Sequence, residues 1–274
     1  MGNIADTALL NNGVQMPWLG FGTYKAEGNE VYEAVKTAIK VGYRHIDTAA
    51  IYGNEELVGQ AIRDSGADRD NLFVTTKLWN QDQGYDSTLR AFEESRKRLG
   101  LDIIDLYLIH WPGKDKYKET WKAFERLYEE GSVRAIGVSN FQIHHLEDLL
   151  KDSNIVPVIN QVELHPRLTQ QELHQYCREH QIQLESWSPL AKGKLTEQPD
   201  IVEIAAKYGK TTSQVILRWH LDRGIVTIPK SVTAHRIREN ADLFDFELTT
   251  EDIDRINGLH LDERVGTHPD KLLF

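Results

Sequence analysis

LFVTTKLWNQDQGYDSTLRAFEESRKRLGLDIIDLYLIH (72–110) is the stretch that decides the fold. LFVTTK (72–77) and IIDLYLIH (103–110) are short, nearly continuous apolar runs, the composition of parallel strands covered on both faces. Between them STLRAFEESRKRLG carries helical apolar spacing and ends in the glycine expected just past a helix C-terminus. This is one strand-helix-strand unit, and each of its strands closes on a polar residue, Lys77 and His110.

The same unit repeats in both directions. WLGFG (18–22) and GYRHID (42–47) supply two earlier strands, and VRAIGVSN (133–140), PVINQVE (157–163), IQLESWS (182–188) and GIVTIPK (224–230) supply four later ones. EVYEAVKTAIKVG, EELVGQAIRDSG, YKETWKAFERLYEEG, HHLEDLLKD and QELHQYCREH read as helices between them. Repeated units of this kind close into an eight-stranded barrel or spread into an open doubly wound sheet. Six strands end in Asp47, Lys77, His110, Asn140, Ser188 and Lys230, and only a closed barrel gathers such ends at one mouth. The expected fold is therefore an α/β (β/α)8 TIM barrel. TALLNNGVQM reads as an N-terminal β-hairpin turning at Asn12-Gly13, attached as an appendage. No Pro/Gly/Ser-rich linker divides the chain, so residues 1–274 are expected to form a single domain, about the roughly 250 residues such a barrel uses.

The bulk numbers narrow the function. Lys plus Arg number 32 against 42 Asp plus Glu, a formal net charge of −10, which argues against nucleic acid or an anionic membrane as the main partner. No apolar run approaches the ~20 residues of a transmembrane helix, and MGNIADTALLNNG does not read as a signal peptide, so the expected address is cytoplasmic. Cys177 is the one cysteine, which leaves no disulfide framework, no redox pair and no thiolate metal cluster. His144, His145, His174 and His180 lack HxxxH or HExxH spacing and are read as non-ligands, so no metal is expected. Trp121 and Trp219, within amphipathic helices, and Cys177 read as packing residues.

The chemistry gathers at the strand ends. Asp47, Tyr52, Lys77 and His110 would meet at one rim. A tyrosine with a pKa of about 10 is a poor acid at neutral pH. A nearby ammonium favours phenolate, and Lys77 is expected to lower the Tyr52 pKa in this way. Asp47 would hold Lys77 by an ion pair, and His110 could orient or donate to a carbonyl oxygen protonated by Tyr52. Position alone leaves plainer readings open. An Asp47–Lys77 pair could be structural, Tyr52 a packed aromatic, His110 a satisfied core histidine, and Lys230 with Arg236 a solvated helix terminus.

GYRHIDTAAIYGNEELVGQAI (42–62), IGVSNF (136–141) and IPKSVTAHRIREN (228–240) closely resemble the signature segments of aldo-keto reductases, with Lys77 in TTKLW and His110 in IHWP between them. The resemblance covers nearly the whole chain and is strongest to compact bacterial members that reduce keto-sugars and small dicarbonyls. It implies that Asp47, Tyr52, Lys77 and His110 form a catalytic tetrad, with Tyr52 as general acid and hydride supplied by a nicotinamide.

No GxGxxG follows any strand: Gly20 and Gly22 are spaced for one, but Lys25 stands where the third glycine would be. Instead Lys230, Ser231, Arg236 and Arg238 form a cationic cluster at the last strand end and the start of a helix, a setting suited to phosphate. The resemblance assigns Lys230, Ser231 and Arg236 to the 2′-phosphate of NADPH, and Glu239 and Asn240 to the adenine. It assigns Ser139, Asn140 and Gln161 to the nicotinamide amide, and Trp187 to stacking on the ring, where many relatives carry tyrosine. Gly22, Thr23, Ser188, Leu190, Lys192 and Val232 join the same cofactor set. Two charge-assisted contacts of about 1.5 kcal/mol each would favour NADPH over NADH by on the order of 100-fold. Tyr24, Trp79 and Trp111, with His110, are expected to wall the substrate pocket, which suits a small carbonyl compound. The expected enzyme is a monomeric NADP-dependent carbonyl reductase. A cofactor-binding regulatory or redox-sensing barrel with little turnover, and an isomerase or aldolase using Lys77, are the alternatives.

Overall fold

The computed structural model describes residues 1–272. The chain opens with β1 (Thr7–Leu9) and β2 (Gln15–Pro17), an antiparallel hairpin in which Leu9 faces Gln15. Its turn uses Gly13 at φ 84°, a conformation that disfavours any side chain. The hairpin is not the appendage the sequence suggested. Ala8, Leu10 and Met16 are buried against Phe73, Leu106, Leu108, Ala135, Ile159 and Val226, so the hairpin plugs the barrel floor. Period-2 alternation in so short a hairpin shows an apolar face but not what covers it.

Eight parallel strands follow: β3 (Gly20–Gly22), β4 (His45–Asp47), β5 (Phe73–Leu78), β6 (Ile104–Ile109), β7 (Val133–Ser139), β8 (Ile159–Glu163), β9 (Gln183–Trp187) and β10 (Val226–Thr227). Each pairs with the next in chain order, and a parallel bridge between Leu19 and Thr227 joins the two ends into a barrel. Closure is close-packed at β3. A Cβ on Gly20 would overlap the His45 imidazole, and one on Gly22 would sit 3.0 Å from the Ile228 carbonyl oxygen. The two glycines that half-match a dinucleotide motif thus serve the barrel seam.

The helices between and after the strands are α1 (Gly28–Val41), α2 (Glu55–Asp64), α3 (Tyr85–Leu99), α4 (Tyr117–Glu129), α5 (Ile143–Leu150), α6 (Gln171–Glu179), α7 (Pro199–Tyr208), α8 (Thr212–Asp222), α9 (Ala234–Ala241) and α10 (Thr250–Asn257). Their buried faces form one continuous core with the outward side chains of the strands. Trp121 and Trp219 lie fully inside it, their indole N–H groups donating to Ile155 O at 3.1 Å and Asn257 Oδ1 at 3.0 Å. Cys177 is also buried there. Large apolar side chains buried in this way contribute about 1.5–3 kcal/mol each relative to exposure. The helix layer therefore holds the strand ends, and the side chains on them, in fixed register.

Candidate active site

Asp47 ends β4, Lys77 is the penultimate residue of β5, and His110 follows β6 directly, so three adjacent strands deliver three polar side chains to one mouth. Tyr52 arrives from the other direction, on a short 3-10 turn (Ala50–Tyr52) leading into α2. Lys77 Nζ donates to Asp47 Oδ1 at 2.6 Å and to the Thr48 carbonyl at 2.9 Å, and lies 5.3 Å from the centre of the Tyr52 ring. The Tyr52 and His110 rings are 5.8 Å apart, edge to face.

Burial decides the protonation states. It would by itself drive the proton off Lys77, but the Asp47 carboxylate and the Tyr52 phenol hold the ammonium above its ordinary range. Burial, reinforced by the Lys77 charge, holds His110 well below the ordinary imidazole range, so its ring is neutral at pH 7. Tyr52 departs from expectation: desolvation outweighs the Lys77 ammonium and pushes the phenol up to about 12. The ammonium does lower it, as the sequence suggested, but removal from water is the larger effect.

Aromatic side chains wall the mouth. The Tyr24 ring lies 5.1 Å from Tyr52 and is half exposed, Trp79 lies 5.3 Å from His110, and Trp111 stacks at 6.5 Å from His110 and meets Trp187 edge to face at 6.4 Å. The tetrad thus forms the polar floor of an aromatic cup, and all the expected wall residues reach it.

The expected cofactor residues lie on β3, β7, β8 and β9, in the turns after β3, β7, β9 and β10, and on α9. Ser139 ends β7, and Asn140, at φ 65°, donates to the His110 carbonyl at 2.9 Å while its Oδ1 accepts the Trp187 indole N–H at 2.8 Å. Gln161, inside β8, donates to Asp47 Oδ2 at 2.8 Å. Gly22 ends β3, and the next residue, Thr23, donates to the Asp47 carbonyl at 2.9 Å. Ser188, Leu190 and Lys192 occupy the turn after β9, where Ser188 and Lys192 have φ of 49° and 56°. Lys230 lies beside Gly22 and reaches the Lys25 carbonyl at 3.3 Å. Ser231 and Val232 lead to α9, where Arg236 is exposed, Glu239 half-buried and Asn240 buried. Lys230 and Arg236 are both exposed, and among the described residues neither is ion-paired to a carboxylate.

Other functional contacts were not visible in the sequence. Glu163 accepts the backbone N–H groups of Val265 and Gly266, at 2.5 and 3.0 Å, and pairs with His165 at 3.0 Å. Gly266 lies so close to the Trp187 indole that a Cβ would overlap it. Lys192 donates to the Val265 carbonyl at 2.7 Å. The segment after α10 thereby holds the Trp187 ring and the turn behind it. His144 and His145 also converge on Asp270, at 3.2 and 3.5 Å. His145 Nδ1 accepts the Gln142 N–H at 3.0 Å, so its Nε2, the nitrogen nearer Asp270, carries the proton in the neutral ring.

With this geometry in place, the aldo/keto reductase family model matches residues 18–260. The chain belongs to the aldo/keto reductase family. It is 62% identical over 273 residues to "Glyoxal reductase" of Bacillus subtilis (strain 168), covering 99% of each chain. It is 49% identical over 266 residues to "Methylglyoxal reductase DkgA" of Escherichia coli (strain K12), covering 96% of each. Among solved structures, a mutant of Gox0644 in complex with NADPH superposes with a TM-score of 0.94 at 44% identity, over 98% of each chain.

Proposed function

We propose that this reductase uses NADPH to convert small aldehydes and dicarbonyls to alcohols, with Tyr52 as the proton donor. The observation that carries the reading is the buried Asp47–Lys77 pair beneath Tyr52, inside an aromatic cup. The names of the glyoxal and methylglyoxal reductases support dicarbonyls as the substrate class. The relative in complex with NADPH supports the cofactor.

When bound, NADPH supplies the hydride. Lys230, Ser231 and Arg236 hold its 2′-phosphate, Glu239 and Asn240 its adenine, and Ser139, Asn140, Gln161 and Trp187 its nicotinamide end. Gly22, Thr23, Ser188, Leu190, Lys192 and Val232 line the path between. Tyr24, Trp79 and Trp111 exclude water from the substrate carbonyl, and neutral His110 offers an N–H to its oxygen. Tyr52 then gives its proton to that oxygen. A phenol at about 12 is still strong enough for the task, because an alkoxide is about as basic as hydroxide, whose conjugate acid lies near 15.7. Lys77 stabilises the phenolate left behind, and Asp47 keeps Lys77 charged and in place.

The same reading takes residues 1–274 as one domain acting as a cytoplasmic monomer. Every tetrad residue comes from a single chain, and no described helix is long and apolar enough to cross a membrane. The test follows NADPH absorbance with purified protein and methylglyoxal, glyoxal, an aromatic aldehyde, a keto-sugar and a 2-keto acid. Consumption with the dicarbonyls is expected. NADPH binding without turnover of any carbonyl would favour a regulatory role, and no NADPH binding would refute the cofactor assignment.

A further inference from the structure

Glu185 is the third residue of β9, is fully buried and lies outside the tetrad. Its Oε2 lies 3.0 Å from Gln161 Nε2, which also lies 2.8 Å from Asp47 Oδ2. A primary amide has two N–H groups, and both are taken here by carboxyl oxygens. The oxygen and nitrogen of an amide are often interchangeable by shape alone. At Gln161 they are not, because the reverse orientation would set the carbonyl oxygen against the Asp47 carboxylate that pairs with Lys77. Gln161 therefore has one polar side-chain atom left, Oε1, and it can only accept.

The neighbourhood explains why a carboxyl group suits this position. Glu185 Oε1 makes no hydrogen bond and sits 3.8 Å from His45 Nε2, which is occupied by Thr75 Oγ1 at 3.1 Å. Burial and the Asp47 charge raise Glu185 to about 8, so it remains largely protonated at neutral pH and accepts from Gln161 without adding a second buried anion. Asp47 alone anchors one N–H of the amide and leaves it free to swing about that bond. Glu185 removes the swing by anchoring the other.

We infer that Glu185 is a positioning residue that fixes the Gln161 amide with its oxygen outward, so that the mouth selects a nicotinamide whose 3-substituent can donate a hydrogen bond. This inference rests on the reading that the nicotinamide of NADPH docks at Gln161. It predicts discrimination between a carboxamide, which has N–H donors, and an acetyl group, which has none.

The test measures dissociation constants of NADP⁺ and its 3-acetylpyridine analogue by tryptophan fluorescence or calorimetry. The wild type should bind NADP⁺ about tenfold more tightly, the usual scale of one hydrogen bond. Glu185→Leu should reduce that ratio to about twofold, while Glu185→Gln, whose carbonyl still accepts from Gln161, should restore it. Glu185→Asp, too short to reach Gln161, should fall in between and decides the matter if the leucine variant does not fold. A folded leucine or aspartate variant that keeps the tenfold ratio overturns the inference, as does a wild type that binds both dinucleotides equally. A wild type that binds neither refutes the docking reading itself.

Discussion

Lys77 Nζ and Asp47 Oδ1 lie 2.6 Å apart with both side chains closed to solvent. A buried pair of this kind is weak evidence of stabilisation, because desolvation of both ions offsets most of their attraction. Removing one partner is a different matter, since it strands the other charge in the barrel. Lys77→Met should destabilise the fold by about 3 kcal/mol and lower the melting temperature by roughly 5–10 °C. Asp47→Asn combined with Lys77→Met should be less destabilised than the single lysine variant. Thermal melts of the three proteins check this, and a single variant as stable as wild type would contradict it.

Glu185 makes stability depend on pH in an unusual direction. Its folded-state pKa is raised to about 8, whereas in the unfolded chain it ionises near the ordinary 4.5. Between those values the folded state holds a proton that the unfolded state releases, so this group's contribution is fully present below pH 4.5 and is lost as pH rises through 8. Glu185→Gln cannot ionise. Its melting temperature relative to wild type should therefore rise between pH 5 and pH 8, and a constant difference would show that Glu185 ionises normally in the barrel.

The proposed 2′-phosphate site rests on Lys230 and Arg236. Arg236→Ala and Lys230→Ala should each weaken NADPH by about tenfold, the scale of one charge-assisted contact, and leave NADH nearly unchanged. Dissociation constants for the two dinucleotides measure this. An equal loss for both would place these residues away from the 2′-phosphate.

The parts of this site that the sequence disclosed are those carried by strand ends. Asp47, Lys77 and His110 each close a recognisable apolar run, and Tyr52 follows within a motif long enough to exclude chance. Contacts made across the barrel were hidden. Glu163 meets Val265 and Gly266 about a hundred residues later in the chain, and nothing local marks the pairing. Glu185 did leave a signal, a carboxyl group in the middle of the buried run QLESW, but its partners lie on β4 and β8. The Tyr52 pKa departs from the sequence expectation for a related reason: an ammonium neighbour can be read from a motif, whereas the depth of burial that outweighs it depends on how Tyr24 and His110 pack against the ring. The hairpin's apolar face was visible, but its place in the barrel floor was not.

The central claim is that Tyr52 delivers the proton, and Tyr52→Phe tests it most directly because the change removes one hydroxyl and leaves the aromatic cup intact. With dissociation constants for NADPH measured alongside single-turnover reduction of methylglyoxal, the account predicts NADPH binding within about threefold of wild type and a loss of about 10²-fold or more in the reduction rate. A phenylalanine variant that binds NADPH and reduces methylglyoxal at close to the wild-type rate would contradict it.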